Sequence, residues 1–554
     1  MKKLYRTKKI ALLTLGAMSF ASLAMAASSM ENPARDISPQ LPRPAASVED
    51  NTPSQPSDNK AVQFTITNFR LEAPDLYLNK EQLIEILQSG MGENKTMEQL
   101  NLTLNELTRY CRANGYPTAA AYVPAQESTD GTITIRVIPG RIGKVSLDNK
   151  SKLKDTVADG FTARLKAGNI IRTRDLETVL YSISDVSGAR AVGVLKPGAE
   201  FGTSDITVRI EDGKGENTIM YAENYGSKNT GRYRYGLQEN LYDVGGTGAK
   251  VSIGTLHSNG GLHNYYANYE MLVGRGGTTL GLGYSRMNYT VGGSMTALDA
   301  NGVADTISLF GRRPLYHYTT SALNFSYGYD YRKLSDNLDA FGLKGKKHEH
   351  SLHVGLDGSS RMGQTAATYG VRITTGRVGL DSEYSKTLGK SSKVEGTFTK
   401  GEINGTVVQR LGNKSDVMVK VSGQKATHNL DGSEEMYLGG ANGVRAYPQG
   451  EGSGDEGILG TAELRFYTPV QGLVFSTYYD AGHVKYAHDG SVDLTVNQPS
   501  SGITLKGWGV ALAYTKPNDW FARLDYARRI GSDPNLSAAA KARGRTWFML
   551  GKIW

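Results

Sequence analysis

Residues 323–332 read Leu-Asn-Phe-Ser-Tyr-Gly-Tyr-Asp-Tyr-Arg, and this stretch decides the fold. Its odd-numbered residues are apolar or aromatic, and its even-numbered residues are polar or glycine. Residues 265–273 and 351–357 show the same alternation. A period of two predicts β-strands with one apolar face and one polar face.

Two kinds of sheet satisfy such strands. In water they would form a sandwich with one wet face. Here the runs often reach about ten residues, which exceeds the five or six that are usual in globular proteins. Their outer faces are also rich in tyrosine, as are the aromatic girdles of membrane barrels. Both features favour strands that cross a membrane.

Sixteen such strands can be placed between residue 216 and Trp554, at about 21 residues for each strand and its connection. In lipid, only a closed sheet leaves no unpaired edge. We therefore predict a mainly β protein in which residues 216–554 form a 16-stranded transmembrane antiparallel β-barrel with an aqueous lumen. The predicted strands lie near positions 217, 232, 248, 263, 278, 304, 319, 348, 367, 393, 415, 457, 472, 502, 519 and 545.

The composition of the 554 residues is typical of strands and turns. Glycine accounts for 66 residues, and tyrosine outnumbers phenylalanine by 31 to 13. With 21% charged residues, the chain lacks the long apolar segments that a bundle of membrane helices needs. Its one cysteine, Cys111, excludes an internal disulfide and a cysteine-based zinc site.

Residues 1–26 have the organisation of a secretory signal peptide. Basic residues precede the apolar run from Ile10 to Leu23, and Ala24-Met25-Ala26 forms a cleavage site of small residues. An uncleaved anchor helix is the alternative, but the run is shorter than the about 20 residues that span a bilayer. Cleavage removes five basic residues and no acidic one, so the formal net charge falls from +9 to +4. No nucleic-acid partner is therefore expected.

Residues 27–60 contain six prolines among Ser, Asn, Asp and Gln. This composition predicts an extended, poorly ordered periplasmic linker. The segment shows no helical periodicity, so we expect no plug helix in it.

Residues 61–140 and 141–215 each follow the order β-α-α-β-β, which predicts two small α+β domains in tandem. In the first domain, Thr96 and Gln99 form a capping box, and the helix that they open ends at Gly115. The predicted elements are 62–69, 80–88, 96–115, 119–124 and 132–138 in the first domain and 141–147, 153–165, 175–183, 189–195 and 205–210 in the second.

A glycine-rich segment, residues 436–457, separates the eleventh and twelfth predicted strands and is too long for a turn. Its tip, Val444-Arg445-Ala446-Tyr447, resembles the V-R-G-Y or V-R-G-F tip of the inward-folded loop in the outer-membrane barrel-assembly superfamily. Gly454 and Asp455, followed by Tyr-Tyr-Asp-Ala-Gly at 478–482, resemble the TpsB-type transporters of two-partner secretion (ShlB/FhaC/HecB-like).

The soluble part carries the same resemblance. Gly115-Tyr116, Val123-Pro124 and Gly140-Arg141-Ile142 are similar to the end of the first POTRA domain in that family. The resemblance implies that two periplasmic POTRA domains bind an unfolded TpsA-type exoprotein and that the barrel secretes it across the Gram-negative outer membrane. Whether the transporter also activates its cargo stays open. Outer-membrane lipid, lipopolysaccharide and the barrel-assembly machinery are the other implied partners.

Arg445 needs a carboxylate partner, because a desolvated, unpaired guanidinium is costly. Asp480 is the candidate, since it shares one strand face with Ser476 and Tyr478, and we expect that face to line the lumen. The resemblance implies the same pair. The alternative is an ion pair that only stiffens the barrel. Ala446 replaces the family's glycine, which would matter if that residue required a positive φ.

The predicted POTRA order leaves a strand edge that can take up an extended client segment by β-augmentation. Inert spacers between membrane and periplasm are the alternative. The sequence does not identify the residues that would pair with the client.

Enzymatic chemistry finds little support, and no cofactor is expected. Gly389-Lys390-Ser391 lacks the first glycine of a phosphate-binding loop. His348 and His350 would share one face of a strand and His353 the other, so a solvated rim loop is favoured over a metal site. Two other functions stay open, namely a barrel-assembly factor and a passive porin.

Overall fold

A computed structural model describes residues 48–50, 63–127, 130–213, 215–490, 501–534 and 536–554. The predicted signal peptide and most of the predicted linker lie outside these residues. Within them, sixteen antiparallel strands form a closed barrel. The barrel strands are β10 (Glu216–Glu223), β11 (Arg234–Val244), β12 (Ala249–Ser258), β13 (His263–Val273), β14 (Thr278–Thr290), β15 (Ala300–His317), β16 (Ser321–Leu338), β17 (Leu343–Met362), β18 (Thr365–Leu380), β19 (Gly396–Arg410), β20 (Ser415–Ala426), β23 (Glu456–Tyr467), β24 (Leu473–Lys485), β25 (Gly502–Thr515), β26 (Trp520–Arg529) and β27 (Gly544–Ile553).

The number, order and closure of the strands are as predicted. The last strand, β27, pairs antiparallel with the first, β10, so the described sheet has no free edge. On β17, Leu352, Val354 and Leu356 are exposed on the outside, whereas Glu349 and Ser351 are buried on the lumenal side. The alternation of apolar and polar residues therefore separates side chains that face the lipid from side chains that face the lumen. It does not separate a protein core from a hydrated surface.

The first α+β unit comprises β2 (Gln63–Ile66), β3 (Asn68–Glu72), α1 (Lys80–Gln88), β4 (Gly92–Thr96), α2 (Met97–Ala113), β5 (Ala120–Tyr122) and β6 (Thr132–Ile138). The predicted capping box is present, with the Gln99 backbone N–H donating to Thr96 Oγ1 at 3.2 Å. The single predicted strand at 62–69 is wrong in detail, since β2 pairs with β4 while β3 pairs with β6. The α1–α2 face buries Leu83, Leu107 and Cys111.

The second unit comprises β7 (Arg141–Asn149), α3 (Asp155–Thr162), α4 (Thr173–Ser187), β8 (Arg190–Pro197) and β9 (Thr203–Glu211). Its elements follow the predicted order. The helices cover one face of the sheet and bury residues such as Phe161, Leu180 and Ile183.

A short strand from the linker, β1 (Val48–Asp50), completes the sheet of the second unit. It pairs in parallel with the edge strand β8, with Val48 opposite Gly193 and Asp50 opposite Leu195. The linker is thus extended at this point, as predicted, but it is not free.

Helix α4 docks the second unit on the barrel. The Thr319 backbone N–H, in the turn between β15 and β16, donates to Glu177 at 3.2 Å. His317 Nδ1 lies 2.8 Å from Asp185 Oδ2, and the His317 ring stacks on Tyr181. These contacts mark the β15–β16 turn as the end of the barrel that faces the soluble units, and the segment between β20 and β23 as the opposite end.

The helices in the described part of the chain are too short or too polar to span a bilayer.

Candidate functional site

The loop between β20 and β23, residues 427–455, folds back into the barrel lumen and is called the lumenal loop below. Two short strands, β21 (Met436–Tyr437) and β22 (Ser453–Gly454), pair with each other and bring its two arms together. At Gly454 an added Cβ would lie 2.3 Å from the Lys485 carbonyl oxygen of the wall. Glycine is therefore required here by the close approach of loop and wall.

The tip of the lumenal loop is held partly by apolar packing. Leu438, Val444, Ala446 and Tyr447 are buried against the lumenal side of the wall. The wall residues of this cluster include Leu459, Tyr478, Val484, Ile503, Leu505, Ala511 and Ala527. These residues come from β23 to β26. The tip therefore lies against the part of the barrel wall that begins with β23, the strand that follows the loop.

Ala446 fits at the position where the resemblance implied a glycine. It does not have a positive φ. Its methyl group lies where β25 carries Gly507, and a Cβ added to Gly507 would approach the Ala446 Cβ to 2.6 Å. The missing side chain in the wall therefore compensates for the additional methyl group in the loop.

Arg445 is buried at the tip and forms a bidentate ion pair with Asp480. Its Nε and Nη2 donate to the two carboxylate oxygens at 2.9 and 2.8 Å. The Arg445 backbone N–H donates to the same carboxylate at 3.1 Å. Thr461 Oγ1 on β23 donates to Asp480 as well, at 2.9 Å. Bidentate geometry fixes the guanidinium in one orientation.

Three further charged side chains complete this cluster. Arg445 Nη1 lies 3.1 Å from Glu463 and 3.2 Å from Asp525. Arg523 bridges the same two acids, at 3.3 Å from Glu463 and 2.8 Å from Asp525. Two arginines thus face three carboxylates, which gives a formal charge of −1. We call these five residues the tip cluster.

Two aromatic side chains flank the Arg445 side of the tip cluster. The guanidinium carbon of Arg445 lies 3.1 Å from the centre of the Tyr478 ring. The Trp547 indole N–H on β27 donates to the Arg445 carbonyl oxygen at 2.7 Å. The tip is therefore tied to β23, β24, β26 and β27 by side chains that are themselves buried.

A second buried ionic cluster, absent from the sequence prediction, holds the first arm of the lumenal loop. Glu434 accepts from Arg332 of β16 at 2.8 Å and from Lys400 of β19 at 3.0 Å. Asp431 accepts from Lys347 of β17 at 2.8 Å. We call these five residues the arm cluster. Because the loop starts between β20 and β23, its contacts extend from β16 on one side to β27 on the other, and it bridges the lumen.

Asp455 and Glu451 fix the second arm. Asp455 accepts from the backbone N–H groups of Leu430 and His488, at 3.2 and 2.8 Å. Glu451 accepts from Ser537, which lies in the connection between β26 and β27. The motif residue Asp455 thus ties one arm of the loop to the other and to the connection that follows β24.

The histidine-rich stretch lies on a strand rather than in the expected solvated rim loop. His348 and His350 face outward from β17, and His353 faces inward, 3.4 Å from Asp330. Lys347 is not solvated but belongs to the arm cluster. Among the described residues, no group of three His, Cys, Asp or Glu side chains is arranged to hold a metal ion.

The sequence profile of the haemolysin secretion/activation proteins ShlB/FhaC/HecB matches residues 202–507, which is more than half of the chain. The chain belongs to this family. A second profile, that of the ShlB-type POTRA domain, matches residues 64–140. The protein is therefore a transporter of the outer membrane with its POTRA region in the periplasm, and the described barrel is its membrane-spanning part.

Similar proteins are transporters as well. The heme/hemopexin transporter protein HuxB of Haemophilus influenzae (strain 86-028NP) is 26% identical over 488 residues, which cover 87% of this chain and 86% of HuxB. The outer membrane transporter CdiB of Dickeya dadantii (strain 3937) is 23% identical over 478 residues, covering 83% and 81%. The solved structure of CdiB from Escherichia coli shares the fold, with a TM-score of 0.66 at 16% identity and coverage of 91% and 93%.

Proposed function

We propose that the transporter exports an unfolded TpsA-type exoprotein through the barrel lumen and that displacement of the lumenal loop opens the path. The observation that carries the proposal is the loop that bridges a closed sixteen-stranded ring and ends in the tip cluster. Ion pairs and hydrogen bonds in a lumen can be exchanged for contacts with water or with a client chain. A loop held by such contacts can leave the lumen and return to it more readily than a permanently packed core can.

Family membership favours export over barrel assembly and over passive diffusion. The matched family is one of secretion proteins. A passive porin also needs no periplasmic α+β units docked on its turns, whereas α4 is docked here through Glu177 and Asp185.

The test is secretion of the partner by two matched variants. Arg445→Ala removes the arginine that links the loop to the wall. Arg465→Ala removes another lumenal arginine, whose Nε lies 2.6 Å from Asp416 and which joins two wall strands only. We expect both proteins to form heat-modifiable barrels, secretion to stop with Arg445→Ala, and secretion to continue with Arg465→Ala.

Equal secretion by the two variants would leave the tip cluster with a stiffening role and would remove it from the transport mechanism. The substrate for this assay would be a TpsA-type exoprotein encoded beside this gene, presented with its amino-terminal secretion domain.

We propose further that the β8 edge of the second unit receives the client as an added strand. What supports this is the parallel pairing of β1 with β8, since the edge already accepts an extended segment through main-chain hydrogen bonds. A client strand would have to displace β1. The linker then acts as a competitor for the site rather than as a passive tether.

Deletion of residues 48–50 tests this second proposal. Removal of the competitor should increase the affinity of the purified transporter for the secretion domain, whereas deletion of three linker residues at 54–56 should not. If both deletions leave the affinity unchanged, β8 does not bind the client and the second unit acts as a spacer.

The remaining assignments complete the proposed division of the chain. Residues 1–26 direct secretion and are cleaved, residues 27–60 link, residues 61–140 and 141–215 form the two POTRA domains, and residues 216–554 form the barrel. Insertion would use the barrel-assembly machinery, because an outer-membrane barrel has to reach the lipid from the periplasm.

A further inference from the structure

The lipid-facing surface of β15 to β18 changes from apolar to basic near the end that lies away from the POTRA domains. The register places Leu309, Tyr329, Leu352 and Thr375 in one row across the four strands. The next row outward is Ile307, Tyr331, His350 and Arg377, and the one beyond it is Asp305, Lys333, His348 and Gly379.

These basic side chains point to the lipid and not into the lumen. Lys333 alternates with Arg332, which reaches the arm cluster, and with the buried Leu334. Arg377 alternates with the buried Gly376 and Val378 and is exposed. Both therefore lie at the boundary where the apolar band meets the outer surface of the membrane.

The charge of this surface is not neutralised by its own acids. The Asp305 carboxylate forms an ion pair with Arg286 at 3.3 Å and accepts a hydrogen bond from the Tyr284 hydroxyl at 2.7 Å. Asp381 is engaged by His348 at 2.8 Å. Within the described part of the chain, Lys333 and Arg377 form no ion pair with a carboxylate, and the Lys333 ammonium lies 5.6 Å from the centre of the Tyr331 ring.

Aromatic groups flank the two cations. The Tyr329 hydroxyl lies 2.6 Å from His350 Nδ1, and the Tyr331 and His350 rings are 4.7 Å apart. Tyrosines with an apolar ring and a polar tip favour the interface between acyl chains and head groups. The exposed Leu352, Val354 and Leu356 continue from there toward the middle of the membrane.

We propose that this surface, centred on Lys333 and Arg377, binds the phosphorylated head group of a lipid A-type glycolipid of the outer leaflet. Phosphate oxygens are strong acceptors for lysine and arginine. The two cations are two strands and one row apart, so about 12 Å separates their backbone positions, which suits a head group with more than one phosphate. Its acyl chains would lie along the apolar rows below. The proposal rests on the location of the barrel in the outer membrane and is independent of the export mechanism.

The test uses the purified full-length transporter, with retained lipid measured by native mass spectrometry after incubation with diphosphoryl lipid A. Lys333→Gln/Arg377→Gln removes the two cations. Arg313→Gln/Lys552→Gln removes two cations near the opposite end of the barrel, where Arg313 is exposed and Lys552 lies beside Trp520 and Trp554. All four substitutions lie on the lipid-facing surface, and a heat-modifiability gel confirms that both proteins fold.

We expect the first variant to retain at least about tenfold less diphosphoryl lipid A than the wild type, because two charge-assisted contacts are lost. The second variant should retain as much as the wild type. Dephosphorylated lipid A should bind weakly to all three proteins. Equal retention of diphosphoryl lipid A by the first variant and the wild type would overturn the proposal. So would displacement of bound diphosphoryl lipid A by phosphatidylglycerol as efficient as displacement by diphosphoryl lipid A itself.

Discussion

At the scale of single residues, Arg445 matters because it is the only member of the tip cluster that comes from the lumenal loop. Asp480, Glu463 and Asp525 all belong to the wall, as does Arg523. Removal of Arg445 both takes away the charged contact of the loop tip with the wall and leaves three carboxylates facing one arginine. Removal of one carboxylate has the opposite effect on the charge, since it leaves two arginines facing two acids.

This difference predicts that Asp480→Asn is milder than Arg445→Ala. Breaking a buried ion pair at the arginine should lower the free energy of unfolding by about 3–5 kcal/mol. Loss of the charge at Asp480 should cost about 1–3 kcal/mol, because Glu463 and Asp525 still accept from Arg445. The temperature at which the folded band disappears in a heat-modifiability series ranks the two variants. An equal shift of this temperature in the two variants would show that the bidentate pair alone stabilises the cluster.

The contact between Ala446 and Gly507 predicts a rescue. Gly507→Ala should destabilise the docked loop by about 1–3 kcal/mol, because the new methyl group would meet that of Ala446. In the double variant with Ala446→Gly, most of the lost stability should be recovered, since the nearest remaining atom is the Arg528 carbonyl oxygen at 3.2 Å. Heat modifiability of both variants and of Ala446→Gly alone completes the cycle. A lack of recovery in the double variant would place the cost elsewhere in the wall.

Arg445 and Asp480 could be predicted as a pair because the strand alternation fixes which side of β24 faces the lumen. The rest of the tip cluster was missed, although Arg523 and Asp525 share one face of β26. The signal was charge on the inner face of a membrane strand, and the same signal marks Arg332 and Glu349. Which of these charges meet depends on the path of the loop, and local periodicity does not define that path.

At the scale of elements, helix α2 shows what packing does to the one thiol of the chain. Cys111 lies on the apolar stripe of α2 with Leu104 and Leu107 and is fully buried. Burial raises the pKa of its thiol to about 11, because the thiolate would lose its hydration. Its role is therefore to pack, and the neutral thiol is a poor nucleophile at physiological pH.

Cys111 should consequently report on opening of the first POTRA domain. At pH 8 a maleimide should label the folded transporter at least about tenfold more slowly than the urea-denatured chain. Above pH 9.0, the ordinary pKa of a cysteine thiol, the unfolded chain loses its proton first. The folded form is therefore destabilised as the pH rises from about 9 to 11, and Cys111→Ala should abolish this component. Equal labelling of folded and denatured protein would mean that α2 is not packed as described.

Elements with long periodic signals were predictable, and those that depend on distant partners were not. Helix α1 has the predicted bounds, and β6 does as well. By contrast, β1 is three residues long and exists through its pairing with β8, which lies more than 140 residues further along the chain. The strand at 62–69 divides into β2 and β3 because each half finds a different partner.

At the scale of the whole molecule, one closed barrel lies between two compartments. The POTRA domains are docked on the turns at one end, and the lumenal loop enters from the other. The alternation in residues 323–332 predicted the barrel only together with the length of the strands, their outward tyrosines and their number, because lipid then leaves no alternative to closure. It did not show how the lumen is closed, because that depends on the arm cluster and the tip cluster together.

Passage of the client through the lumen is tested most directly by photo-cross-linking from two neighbouring wall residues. Lys420 on β20 faces the lumen, on the same side as Asp416 and Gln424, and Val419 faces the lipid. A photoreactive amino acid is placed at each position in separate transporters that are secreting the partner. We expect the partner to cross-link to position 420 and not to position 419. Cross-linking at position 419 with none at position 420 would contradict passage through the barrel.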